Sequence, residues 1–291
     1  MKTQPWQLET GAYPFSIRFN PHYSHLDTER HVNNVAVQSF HTEARTRFHM
    51  AVLGDRAWYS DDVLLRPRRT VTHFLRETHY PHEVTAAVRL VAVEDDSYRL
   101  VQALFQSDEC VGVQECLMGA WGEAGWVALP EAARRALAAE QVDGQPLLPW
   151  PELPEETETF EPGPRQVDLT ARYADLDPDR RLSELAQARY LEQARAGSVT
   201  MLRQPNLGLL VARIDIRYQR WDTGMGEVAL SSELAGIGNS SFVLRGRAAV
   251  DGRPVAMAES VMVLIDRDTH RPTPVPDALR AEMAVLQPPT A

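Results

Sequence analysis

Between residues 35 and 52 the apolar positions recur at three- and four-residue steps: Val37, Phe40, Ala44, Phe48 and Val52. That period predicts one helix with a single buried stripe. Asn33 or Asn34 can cap its start and Gly54 can end it. Downstream the period drops to two. Val84, Ala86, Val88 and Leu90 share one face of a strand, and Val255, Met257, Val261, Val263 and Ile265 share another around Glu259. A long helix followed only by such strands can bury its stripe only by lying across an antiparallel sheet, which predicts an α+β fold.

The pattern occurs twice. Ser24-His25-Leu26-Asp27-Thr28-Glu29-Arg30-His31 aligns with Ala174-Asp175-Leu176-Asp177-Pro178-Asp179-Arg180-Arg181 at an offset of 150, which carries through Ala44-Arg45 and Ala194-Arg195. From Glu83-Val84 and Glu227-Val228 onward the offset is 144, so that Glu115 faces Glu259. Both copies close on a helix opened by proline and an acid, Pro130-Glu131 and Pro276-Asp277. The expected organisation is a first domain over 1–142, a linker rich in proline and acid over 143–164, and a second domain over 165–291. Each domain would leave sheet edges open, and two copies in one chain are expected to pair as an intramolecular pseudo-dimer, with a further homodimer left open.

Composition narrows the function classes. The net charge of -10 argues against nucleic acid as a partner. No run approaches the length of apolar residues that a membrane span needs, so a cytoplasmic protein with no membrane partner is expected. Lys2 is the only lysine, so the positive charge is almost wholly arginine, suited to carboxylate or phosphate recognition. Cys110 and Cys116 fit no zinc or redox spacing and read as packing residues.

Leu26-Asp27-Thr28-Glu29-Arg30-His31-Val32-Asn33-Asn34, followed by Phe40-His41-Thr42-Glu43-Ala44-Arg45, resembles the aspartate loop and helix start of hotdog-fold thioesterases, the family of hydroxybenzoyl-CoA thioesterase-like and acyl-ACP thioesterases. The resemblance implies two hotdog domains, each a sheet wrapped around one long helix. It further implies hydrolysis of acyl-CoA or acyl-carrier-protein thioesters, with Asp27 as nucleophile or base and the amides near Asn33 and Asn34 polarising the carbonyl. His31 matches the histidine that the acyl-ACP branch places four residues after the aspartate, whereas Glu29 stands where that branch has asparagine. The residue types suit the chemistry on their own terms. A thiolate with a conjugate pKa of about 8.5 leaves with little acid assistance, so a carboxylate and a helix-terminal N–H suffice, without metal or cofactor.

Other residues carry weaker expectations. Glu43 is either a helix carboxylate facing substrate or the partner of Arg47 four residues on. Arg66, Arg68 and Arg69, read as preceding a strand, are candidates for the phosphates of coenzyme A or phosphopantetheine. Asp177 is a second-site candidate, but Arg181 replaces His31 and Ser183-Glu184 replace the asparagines, so the second loop reads as degenerate. The histidines of the first copy match no metal spacing and read as substrate contacts or solvated groups. Two other functions remain open: an acyl-thioester binding protein without catalysis, and a hotdog dehydratase using His31 and Glu43.

Overall fold

The computed structural model describes residues 3–55, 57, 64–145, 149–150, 158–199, 204 and 206–288. The chain divides into two compact units, Met1–Glu155 and Glu156–Ala291. In the first, β1 (Phe15–Phe19) leads through the aspartate loop into α1 (Asn34–Leu53). There follow β2 (Leu64–Phe74), β3 (Val84–Val93), β4 (Ser97–Gln106), β5 (Glu109–Gly122), the short β6 (Gly125–Val127) and α2 (Glu131–Ala139). The strands form an antiparallel sheet in the order β1-β3-β4-β5-β2, with β6 folded back on β5.

The second unit repeats the plan with β7 (Arg165–Thr170), α3 (Glu184–Val199), β8 (Leu207–Tyr218), β9 (Glu227–Ile237), β10 (Ser241–Val250), β11 (Arg253–Asp266) and α4 (Asp277–Met283). Its antiparallel order, β7-β9-β10-β11-β8, is that of the first unit strand for strand. Each unit is therefore a hotdog: one long helix laid on an antiparallel sheet.

Burial follows the sequence periods. Val37, Phe40, Ala44 and Phe48 pack with Val84, Ala86, Val88, Leu90, Leu100 and Leu104. Asn33 caps α1, its side chain accepting from the Val35 and Ala36 amides at 2.7 and 3.4 Å. Gly54 ends the helix at φ +93°, a left-handed conformation that favours glycine. The sheet face turned away from α1 is covered by Trp6 and Tyr13 over Ala87, Val101, Ala103, Phe105 and Val113.

Three placements add to the sequence reading, and the second of them corrects it. The alternating set around Glu259 shares a face, but not the one under the helix. Ser260 accepts from Arg195 of α3, and Met262 and Leu264 join the core, so the even-numbered positions of β11 face inward. The arginine run lies inside β2 rather than ahead of it, with a bulge between Pro67 and Arg69. At the expected start of the linker, Arg89 donates to Val142 O and Asp143 O at 3.4 and 3.2 Å. Trp150 further donates to Glu115 Oε2 at 2.8 Å.

Candidate active site

The loop between β1 and α1 is built by its aspartate. Asp27 Oδ1 accepts from the Glu29 and His31 amides at 2.9 and 3.1 Å, while the Asp27 amide donates to His31 O at 2.9 Å. Arg30, at the turn, has φ +67°. A bridge between Leu26 and Val32 and the Asn33 amide bound to His25 O at 2.8 Å hold this ring against the start of α1. Asp27 is half-buried, and its other oxygen accepts no hydrogen bond among the described residues. One carboxylate oxygen thus fixes the loop and the other is uncommitted.

The helix start refines the expected amide donors. The Asn33 N–H is committed to His25 O, and the Val35 and Ala36 N–H groups to the Asn33 side chain. Asn34, first residue of α1, is left with an N–H that has no intrahelical partner by geometry and sits at the positive end of the helix dipole.

His31 lies beside a carboxylate that the sequence did not single out: its Nε2 is 3.3 Å from Glu77 Oε2, and its ring meets His79 edge-on at 5.7 Å. The Val32 amide binds Thr78 O in the adjoining segment. The second unit repeats this clasp, with Leu182 N on Thr223 O and Arg181 Nη1 on Asp222 O at 2.9 Å. A basic side chain reaching across to an Asp/Glu-Thr step is therefore common to both loops, and marks a structural share in the placement of His31.

Glu43 is exposed and forms the i,i+4 ion pair with Arg47 at 2.8 Å. Both side chains are about half exposed, which favours the ion-pair alternative over a carboxylate turned to substrate. The arginine run is engaged rather than displayed. Arg68 pairs with Asp96 at 3.1 Å and stacks on Trp126, and Arg69 stacks on Trp150. Arg66, half-buried within the strand, also has a partner of its own. The bulged strand interior thus gives these guanidinium groups protein neighbours of their own.

Asp177 reproduces the geometry of Asp27: Oδ1 accepts from the Asp179 and Arg181 amides at 3.0 and 3.1 Å, and Arg180 has φ +60°. Ser183 caps α3 through the Ala186 amide at 3.0 Å. Asp175 is structural. Burial pushes its carboxyl up, but bonds from Arg172 and from the Tyr190 hydroxyl at 3.0 Å outweigh this and hold it below its ordinary value. In the first unit the same corner is made by His25, which accepts from the His22 amide at 3.0 Å and packs edge-on against Phe40.

Beneath α1 lies a polar layer that the apolar stripe conceals. Gln38, His41, Arg45 and His49 are all buried and follow one another at steps of three and four. The signal was present in the sequence as a second helical row beside the apolar one; the histidines in it were read as substrate contacts or solvated groups. His41 is fully buried, with its backbone O accepting from Gln102 Nε2 at 2.6 Å. Arg45 reaches Cys116 Sγ at 3.4 Å, and His49 Nε2 lies 2.8 Å from the Tyr98 hydroxyl. Burial, followed by the nearby Arg45 guanidinium, pushes both His41 and His49 down to about 3. Both rings are neutral at physiological pH. Among the described residues, no group of three or more His, Cys, Asp or Glu side chains is placed to hold a metal, and no helix is long and apolar enough to cross a membrane.

Residues 172–283, most of the second unit, match the family model of the thioesterase-like superfamily. No curated protein matches the chain by sequence. Among solved structures, the chain is similar to the 12:0-ACP thioesterase of Umbellularia californica, with a TM-score of 0.72 and 15% identity over 85% of this chain and 93% of that one. It is also similar to an acyl-ACP thioesterase of Bacteroides thetaiotaomicron, with a TM-score of 0.65 and 13% identity over 85% of this chain and 96% of that one. The chain is thus a tandem hotdog protein that shares its fold with acyl-ACP thioesterases and whose second unit matches the thioesterase-like superfamily.

Proposed function

We propose that this protein hydrolyses acyl thioesters, of coenzyme A or an acyl carrier protein, to the free acid and thiol, using the aspartate loop of the first unit. The observation that carries the reading is the junction of loop and helix. Asp27 is held by two backbone N–H groups through one oxygen while the other stays uncommitted, next to a helix start whose Asn34 N–H is free to donate. The superfamily match and the shared fold support the same chemistry.

In this mechanism the free oxygen of Asp27 takes a proton from water as the water oxygen bonds to the thioester carbonyl carbon. The charge that develops on the carbonyl oxygen is met by the Asn34 N–H and the dipole of α1. The C–S bond then breaks, and the thiolate leaves with little need of an acid. His31, beside Glu77, borders the loop.

A second reading has its own support: catalysis at Asp177, whose loop has the same geometry and lies within the matched residues. Asparagine variants separate the two, because an amide oxygen keeps the loop-closing acceptor and removes the charge. Thiol release from a panel of acyl-CoAs should fall roughly 100- to 10,000-fold in Asp27→Asn and stay within a few-fold in Asp177→Asn. The opposite pattern would move the site to the second unit. Saturable binding without thiol release by the wild type would establish a binding protein instead.

A further inference from the structure

The layer between α1 and its sheet holds several polar atoms with no partner among the described residues. Gln38 Oε1, both ring nitrogens of His41, Gln102 Oε1, Gln114 Oε1 and Thr70 Oγ1 are all buried and make no hydrogen bond among the described residues. The five side chains are at most 2% exposed. They share one layer. Gln102 touches the backbone of His41, Gln102 is the cross-strand partner of Gln114, and Gln114 donates to Thr72, one pleat from Thr70. Each such orphaned atom costs about 1–3 kcal/mol, so an apolar interior would be the more stable choice.

The second unit makes that choice on the same scaffold. At the corresponding positions it has Ala188, Leu191, Gly246, Ala258 and Ile214. There a Cβ added to Gly246 would sit 3.6 Å from Leu191 Cδ2 and 3.7 Å from Leu191 O, the same approach of helix to sheet that Gln102 and His41 make. Of the polar groups retained nearby, Arg195 is partnered by Ser260 and Ser198 by Ser232, while Gln187 on α3 keeps one buried Oε1 with no hydrogen bond among the described residues. The hotdog fold therefore does not require the orphaned layer of the first unit.

From this we infer that the polar layer under α1 recognises a hydroxyl group carried on the acyl portion of the substrate. The inference rests on the thioesterase reading for the identity of the ligand. The position suits it. Gln38 and His41 lie four and seven residues beyond Asn34, about 6 and 10 Å along the helix from the proposed oxyanion donor. The chemistry selects a hydroxyl over a keto group, because the orphaned atoms are mostly acceptors. Gln102 cannot be flipped to offer its amide, since Nε2 is already donating to His41 O. Neutral His41 presents one donor and one acceptor, which a hydroxyl can satisfy together.

The test compares decanoyl-CoA with mono-hydroxylated decanoyl-CoAs, the hydroxyl stepped along the chain, in the wild type and in a variant carrying the side chains of the second unit, His41→Leu/Gln102→Gly/Gln114→Ala. The wild type should favour at least one hydroxylated substrate roughly 10-fold or more in kcat/KM, since a site built to bond a hydroxyl discriminates against its absence. In the variant that ratio should fall toward one, whatever the absolute rate. Equal use of all substrates by the wild type, or a preference that survives the swap, would overturn the inference and leave the layer as water-bridged packing only. The single variant Gln114→Ala supplies the same ratio if the triple variant does not fold. If no thioester is cleaved, the function proposed above fails, and thermal stabilisation by free hydroxydecanoic against decanoic acid decides the site alone. Selective stabilisation lost on the swap supports it, and equal stabilisation overturns it.

Discussion

Mild acid should loosen the first unit well before the second, because the first buries two neutral histidines under α1. His41 and His49 have an ordinary value of 6.5 that burial, aided by the Arg45 charge, lowers to about 3. In the unfolded chain both protonate below about 6.5, and in the folded chain neither does. The sign follows: their contribution is fully present above 6.5 and is lost as pH falls, down to about 3, with the unfolded state binding more protons throughout. Each histidine then removes roughly 2 kcal/mol between pH 7 and pH 5, and the two together roughly 4 kcal/mol. That is a large share of the 5–15 kcal/mol that stabilises a typical domain. The corresponding positions of the second unit are Leu191 and Val199, which do not titrate.

Urea denaturation followed by tryptophan fluorescence at pH 7, 6 and 5 measures this. Five of the six tryptophans lie in the first unit and only Trp221 in the second, so the signal is weighted toward the transition of interest. His41→Leu/His49→Val changes the absolute stability, partly because the Tyr98 hydroxyl loses its partner at His49. Its pH dependence over this range should nevertheless flatten by close to two protons. An unchanged slope in the double variant would refute the reasoning.

Two further substitutions probe the framework. Glu43→Ala removes one half of an exposed helix ion pair and should change stability by no more than about 0.5 kcal/mol, with thiol release within two-fold; a loss of 100-fold would restore Glu43 to the active site. Glu115→Ala should destabilise the first unit by about 3 kcal/mol in denaturant, because Glu115 is the buried acceptor for Gln7, Arg99 and Trp150. A change below 1 kcal/mol would show that Arg99 reaches solvent without cost.

The sequence determined the repeat, the order of elements and the α+β class, because these rest on local periods of two and 3.6 and on matched spacing between copies. It also placed Asp27 at a loop-to-helix junction and Asn33 at the helix cap, both decided within a few residues along the chain. What it could not decide was direction and company. Whether the β11 set around Glu259 faces the helix turns on a register that only cross-strand pairing fixes. Spacing left Glu43 even between Arg47 and substrate, and the structure adds the ion pair with Arg47 on an exposed face of α1. Glu77 escaped notice because its partner His31 is close only across a fold in the chain. The largest omission, the polar row Gln38, His41, Arg45 and His49, carried the helical period as clearly as the apolar stripe did. Polar side chains are normally assigned to solvent, and only the tertiary structure, by laying a sheet over that row, made it interior.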